Sequence, residues 1–244
     1  MIEIKNLTKK YGSKTALDDV NLTIPQGQII GLFGENGAGK TTLMKCILGY
    51  IRHKGEITLD GEKITHKNIA RISFATAENS TFPTLSPDAH RDFYKEHFEK
   101  FSDKRYDGLM NFFKLPRNKA VKHFSKGQKD QFEVILSLCQ GADYIFMDEP
   151  FTGNDIFNRE DFYKVLLGIL EPNETVMLST HLIEEVSGFI SRAVLIKGGK
   201  IIADFETDTL EDEGKTLVEF IKESYSYQSD RVSLALDSMT EDEE

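Results

Sequence analysis

With 244 residues, the chain is long enough for one large domain or for a domain with an inserted lobe. Hydrophobic residues make up 39% and charged residues 29%, which excludes a disordered chain. The 40 acidic residues outnumber 30 basic ones, and the net charge of -10 argues against a nucleic-acid footprint spread over the surface.

Residues 2–7 and 20–24 alternate as half-buried strands do, and 28–33 is a short apolar run after the turn Pro25-Gln26-Gly27. Glycine-rich residues 34–39 follow, and 40–48 has helical spacing. Segments 55–59 and 63–65 flank Asp60-Gly61 as a hairpin, and 71–75 reads as a further strand. From Asp88 to Phe113, Phe, Tyr, Lys and Glu recur at helical spacing, so about 80–140 reads as an inserted helical lobe that ends in a helix over 126–139.

Strands are then predicted at 144–147 and 175–179, helices at 157–170 and 182–187, and a hairpin of 193–196 with 200–203 around Gly198-Gly199. Cys46 and Cys139 lie in apolar runs as small buried hydrophobes, with no disulfide framework. No signal peptide is expected, and no stretch approaches the roughly 20 apolar residues that span a bilayer. The expected plan is one domain over 1–223, its core formed by 1–79 and 141–223, followed by an acidic flexible tail at 224–244.

Gly34-Glu35-Asn36-Gly37-Ala38-Gly39-Lys40-Thr41 fits G-x-x-x-x-G-K-[ST], between an apolar strand and a helix. Its glycines let backbone N–H groups curl around a polyphosphate, and the helix N-terminus points positive charge at the same anion. Lys40 is expected on the β- and γ-phosphates, the Thr41 hydroxyl on Mg²⁺ and Thr42 on the α-phosphate of ATP. Downstream, four apolar residues from Tyr144 to Met147 deliver Asp148 and Glu149 to the carboxyl end of a buried strand. There Asp148 can hold Mg²⁺ through water and Glu149 can activate the attacking water. Acids often cap buried strands, so it is the pairing with the phosphate loop that gives this segment meaning.

With Phe124-Ser125-Lys126-Gly127-Gln128 between these two motifs, the chain resembles the nucleotide-binding domains of ABC transporters over nearly its whole length. By itself the pentapeptide reads as a Ser N-cap. The resemblance implies an α/β P-loop NTPase core with a mixed sheet, an N-terminal antiparallel β-subdomain and an inserted α-helical subdomain. It places Ser125, Gly127 and Gln128 on the γ-phosphate side of a neighbouring subunit's site, hence a homodimer or heterodimer with two shared ATP sites. Tyr11 matches the aromatic that stacks on adenine, and His181 matches the switch histidine at the γ-phosphate. Each has a plainer reading, as packing or as a structural histidine.

The family generally carries Gln or Glu ahead of the helical lobe as a further Mg²⁺ contact; here either Glu78 or Ala77 occupies that place. Asn154 and Lys126 stand where Leu and Gly are commoner. The aromatics Phe93, Tyr94 and Phe98 either line a groove for a membrane partner or pack within the lobe. The resemblance implies an ATPase that powers transport, export rather than import, docked through permease subunits on the cytoplasmic face of the cell membrane, with no nucleic-acid partner. Alternatives are a soluble ABC ATPase of an assembly or repair machine and a regulatory subunit with little turnover.

Overall fold

The computed structural model describes residues 1–76, 80–150, 156–212 and 214–225. Four strands, β1 (Ile2–Tyr11), β2 (Lys14–Ile24), β4 (Lys54–Leu59) and β5 (Glu62–Lys63), form an antiparallel sheet in the order β2-β1-β4-β5. Between β2 and β4 the chain leaves this sheet through β3 (Ile29–Phe33) and α1 (Lys40–Ile47). Strand β3 joins β6 (Ile72–Thr76), β7 (Tyr144–Asp148), β8 (Thr175–Ser179), β9 (Arg192–Lys197) and β10 (Lys200–Glu206) in a second sheet of order β10-β9-β3-β8-β7-β6. Its strands are parallel except for β10, which returns antiparallel along β9.

Helices α2 (Pro87–His97), α3 (Asp103–Phe112) and α4 (Lys126–Cys139) lie between β6 and β7 in the chain. The remaining helices are α5 (Ile156–Ile169), α6 (Ile183–Val186), α7 (Asp208–Asp212) and α8 (Leu217–Ser224). Helices α7 and α8 are not among the elements expected from the sequence, although Thr216 and Glu219 form a capping box that starts α8. Strands β1 and β2 are also longer than their alternating stretches, because bulges at positions 4–10 let polar residues continue the ladder.

The mixed sheet is buried on both faces, and successive residues feed opposite cores. Ile145, Met147, Val176 and Leu178 face one cluster together with Phe132, Leu136 and Tyr106 of the helices. Tyr144, Phe146 and Met177 face the other, together with Leu43 and Met44 of α1 and Ile4 and Leu22 of the antiparallel sheet. Each large apolar side chain so buried contributes about 1.5–3 kcal/mol. Phe93 stacks on His97 at 4.1 Å along α2, while Tyr94 lies 5.2 Å from Phe98 and packs against the core cluster. The lobe is tied to the core by Arg105, whose guanidinium holds Glu174 bidentately at 2.6 and 2.8 Å.

Both cysteines are buried thiols, and burial pushes Cys46 up to about 11. Among the described residues no helix is long and apolar enough to cross a membrane.

Candidate functional site

The loop from Gly34 to Gly39 leaves β3 at the carboxyl end of the parallel sheet, where open α/β sheets bind ligands. Two of its glycines are required by contact. A Cβ on Gly34 would lie 2.6 Å from the Ile196 carbonyl oxygen, and one on Gly39 would lie 2.8 Å from that of Ala16. Gly39 also has φ 119°, a conformation open mainly to glycine, as the chain turns into α1. Gly199 N–H donates to the Ala38 carbonyl at 2.9 Å, so the β9–β10 turn braces the loop from behind.

Lys40 is buried, and its ammonium donates to the carbonyls of Gly34 at 2.7 Å and Glu35 at 3.3 Å. The Thr41 hydroxyl donates to Asp148 Oδ2 at 2.6 Å, which joins the loop to the end of β7. Asp148 Oδ1 accepts from the Ser179 hydroxyl at 2.5 Å. The Glu149 N–H donates to both the hydroxyl and the carbonyl of Ser179 at 3.1 Å. Glu149 has φ 48°, in the left-handed region, and its Oε1 lies 3.9 Å from His181 Nδ1.

A cleft of about 230 Å³ opens over this constellation. Tyr11, Asn36, Gly37, Gly39, Lys40, Thr41, Thr42 and Glu149 line it. Tyr11 is 48% exposed, and the Lys9 ammonium sits 4.6 Å from its ring centroid while donating to the Arg52 carbonyl at 2.9 Å. Lys14 and Ala16 of β2 complete the lining. They are absent from the sequence reading because no motif marks them; only the fold brings β2 alongside the loop.

Gly34, Glu35 and His181 border a second, more apolar hollow, which Ile221, Lys222 and Tyr225 also line. Ala38 is buried. Ser125, Gly127 and Gln128 do not line the cleft of their own chain. Ser125 caps α4 in a reciprocal box: its Oγ accepts from Gln128 N–H at 3.2 Å, and its N–H donates to Gln128 Oε1 at 3.0 Å. Such a box stabilises a helix start by about 1 kcal/mol. Glu78 and Ala77 lie outside the described residues, as does Asn154.

Among the described residues no three His, Cys, Asp or Glu side chains converge on a metal position. The Thr41–Asp148 pair does fit Mg²⁺: a hydroxyl and a carboxylate are hard oxygen donors, and this ion usually takes few protein ligands beside substrate phosphates.

A family model described as ABC transporter matches residues 17–152. The chain is 28% identical over 240 residues to the ABC transporter ATP-binding protein YtrB of Bacillus subtilis (strain 168), covering 97% of this chain and 80% of that one. It is 30% identical to the lipopolysaccharide export system ATP-binding protein LptB of Haemophilus influenzae, over 83% of this chain and 89% of the relative. A solved ATP-binding cassette, described as a dimer in a post-hydrolysis state with ADP and Pi, superposes with a TM-score of 0.73 at 23% identity, covering 85% and 99% of the two chains. The glycine loop braced by β9–β10, the Thr41–Asp148 bond across the sheet and these matches agree: the chain belongs to the ABC transporter family and is one of its ATP-hydrolysing cassettes.

Proposed function

We propose that this chain is the ATPase subunit of an export complex, in which two cassettes close around two ATP molecules and hydrolysis reopens them. The observation that carries this reading is that Lys40, Thr41 and Glu149 line one cleft while Asp148 is bonded to the Thr41 hydroxyl. Tyr11 stacks on the adenine. Loop N–H groups and the α1 N-terminus hold the phosphates, and Lys40 exchanges the Gly34 and Glu35 carbonyls for phosphate oxygens. Thr41 and Asp148 would hold Mg²⁺, which when bound would supply positive charge against the phosphates.

Glu149 takes the proton of the attacking water as its oxygen bonds to the γ-phosphorus and the bond to the β-phosphate oxygen breaks. His181, 3.9 Å from Glu149, orients that carboxylate and reaches the γ-phosphate. Ser125, Gly127 and Gln128, which lie away from their own cleft, complete the site of the second subunit through the α4 N-terminus. That subunit is an identical or related chain. The lobe over 80–140 passes closure to separate permease subunits, which hold the cassette on the cytoplasmic face of the membrane. Export is favoured by the likeness to a lipopolysaccharide export ATPase.

Purified protein with Mg²⁺ is expected to hydrolyse ATP, and Glu149→Gln to lower turnover by about 10²-fold or more while ATP-dependent dimerisation persists. Wild-type turnover no higher than that of Glu149→Gln would overturn the assignment. Affinity purification from membranes should recover a polytopic permease; recovery of a soluble assembly only would refute the transport role.

A further inference from the structure

We propose that Ser179 is a positioning residue for ATP hydrolysis, fixing the Asp148 carboxylate and the Glu149 backbone with a single hydroxyl. The proposal rests on the roles given above to those two acids. Ser179 ends β8, opposite Asp148 in the parallel register, and is fully buried. The three residues before it, Val176, Met177 and Leu178, are apolar and equally buried, so burial alone does not call for a hydroxyl here.

The hydroxyl uses both its functions. It donates to Asp148 Oδ1 at 2.5 Å and accepts from the Glu149 N–H at 3.1 Å. Asp148 is thereby gripped from two sides, with Ser179 on Oδ1 and Thr41 on Oδ2, and the plane of its carboxylate is set. The same hydroxyl, together with the Ser179 carbonyl, holds the Glu149 amide in the turn that places this side chain on the cleft. Two residues on, the same chain presents His181 to Glu149. Ser179 therefore joins the strand that leads to His181 to Asp148 at the end of β7 and to Glu149 just after it.

Without the hydroxyl, Asp148 Oδ1 loses the Ser179 donor and the bond from the Glu149 N–H to Ser179 rests on the Ser179 carbonyl. The acids are then present but loosely aimed, and the loss appears in Mg²⁺-dependent steps, not in nucleotide binding as such. Ser179→Ala removes one oxygen and adds no atom, which preserves the fold. Ser179→Thr keeps the hydroxyl in a residue suited to strands.

The test is equilibrium binding of a fluorescent ATP analogue to the full chain, first with EDTA and then through a Mg²⁺ titration, alongside steady-state turnover and melting temperature. Ser179→Ala is expected to bind as wild type does in EDTA. Its apparent Mg²⁺ affinity and kcat should each fall about tenfold, the scale of one hydrogen bond to a charged group. Ser179→Thr should restore both. The proposal is overturned if Ser179→Ala keeps wild-type Mg²⁺ affinity and kcat, or if binding in EDTA falls in parallel, which marks a general disturbance. Asp148→Asn is run as the control for the underlying reading. If its Mg²⁺ titration matches wild type, the role of Asp148 fails and the positioning role with it; if it alone shifts, only the Ser179 inference fails.

Discussion

Glu149 sits at φ 48°, a left-handed backbone conformation that costs a residue bearing a Cβ about 1–2 kcal/mol. The two bonds from its amide to Ser179 keep it there, so local strain is held by a tertiary contact at the point where the carboxylate meets the cleft. Side chain and backbone can be separated by substitution. Both Glu149→Ala and Glu149→Gly remove the carboxylate and should be equally inactive. Only glycine relieves the backbone, so Glu149→Gly is expected to be the more stable of the two by about 1 kcal/mol in urea unfolding. Equal midpoints, or a more stable alanine variant, would show that no strain resides at this position.

At the scale of elements, residues 80–82, ahead of α2, are held by buried polar groups. Glu133 of α4 accepts from the Ser80 hydroxyl and from the Thr81 N–H at 3.0 Å, and burial raises its carboxyl above the ordinary range. His90 of α2 is fully buried: Nε2 accepts from the Phe82 N–H at 2.9 Å, and Nδ1 donates to the Ser86 carbonyl at 2.8 Å. A proton added at Nε2 would face a donor, and burial lowers the pKa below the usual 6.5. With the folded value depressed, the unfolded chain takes up the proton first as pH falls. The contribution of His90 to stability is thus complete above about pH 6.5 and declines as pH drops toward the folded pKa. Comparing urea midpoints at pH 7.5 and 5.5, wild type should lose more stability on acidification than His90→Gln. An equal loss in both would remove His90 as the cause.

Much at this scale is legible in the sequence, for particular reasons. The phosphate loop and the acids of β7 are contiguous, and the apolar runs that become β3, β7 and β8 are bounded by turn residues or charges. What stays hidden depends on the fold. Lys14 and Ala16 reach the cleft only because β2 passes beside the loop. Ser179 looks like the polar end of an apolar strand until its register with Asp148 is known. Helix α8, by contrast, carries a local signal: Thr216 and Glu219 stand three residues apart at its start, as a capping box requires.

For the whole molecule, two cores on opposite faces of one sheet make the parallel strands a rigid floor for the cleft, whereas the proposed second half of each site comes from another copy. This division allows a complementation test. Lys40→Ala disables a chain's own loop. Gly127→Asp places a carboxylate in the first turn of α4, where it suits the helix but repels phosphate. Each protein alone should be nearly inactive. A homodimer mixed at equal amounts should recover about a quarter of wild-type turnover, because half of the random dimers carry one intact site of two. No recovery on mixing would reject sites shared between identical chains.

The brace behind the phosphate loop has a further consequence. Ile196 and Gly199 press on that loop from the β9–β10 hairpin, and the Tyr225 hydroxyl, following α8, donates to the Ile196 carbonyl at 2.7 Å. The glycine motif is therefore not a portable cassette that any strand and helix could host. Segments more than 150 residues downstream stand against its curve, so substitutions in the β9–β10 hairpin, outside every motif of the site, are expected to alter nucleotide affinity.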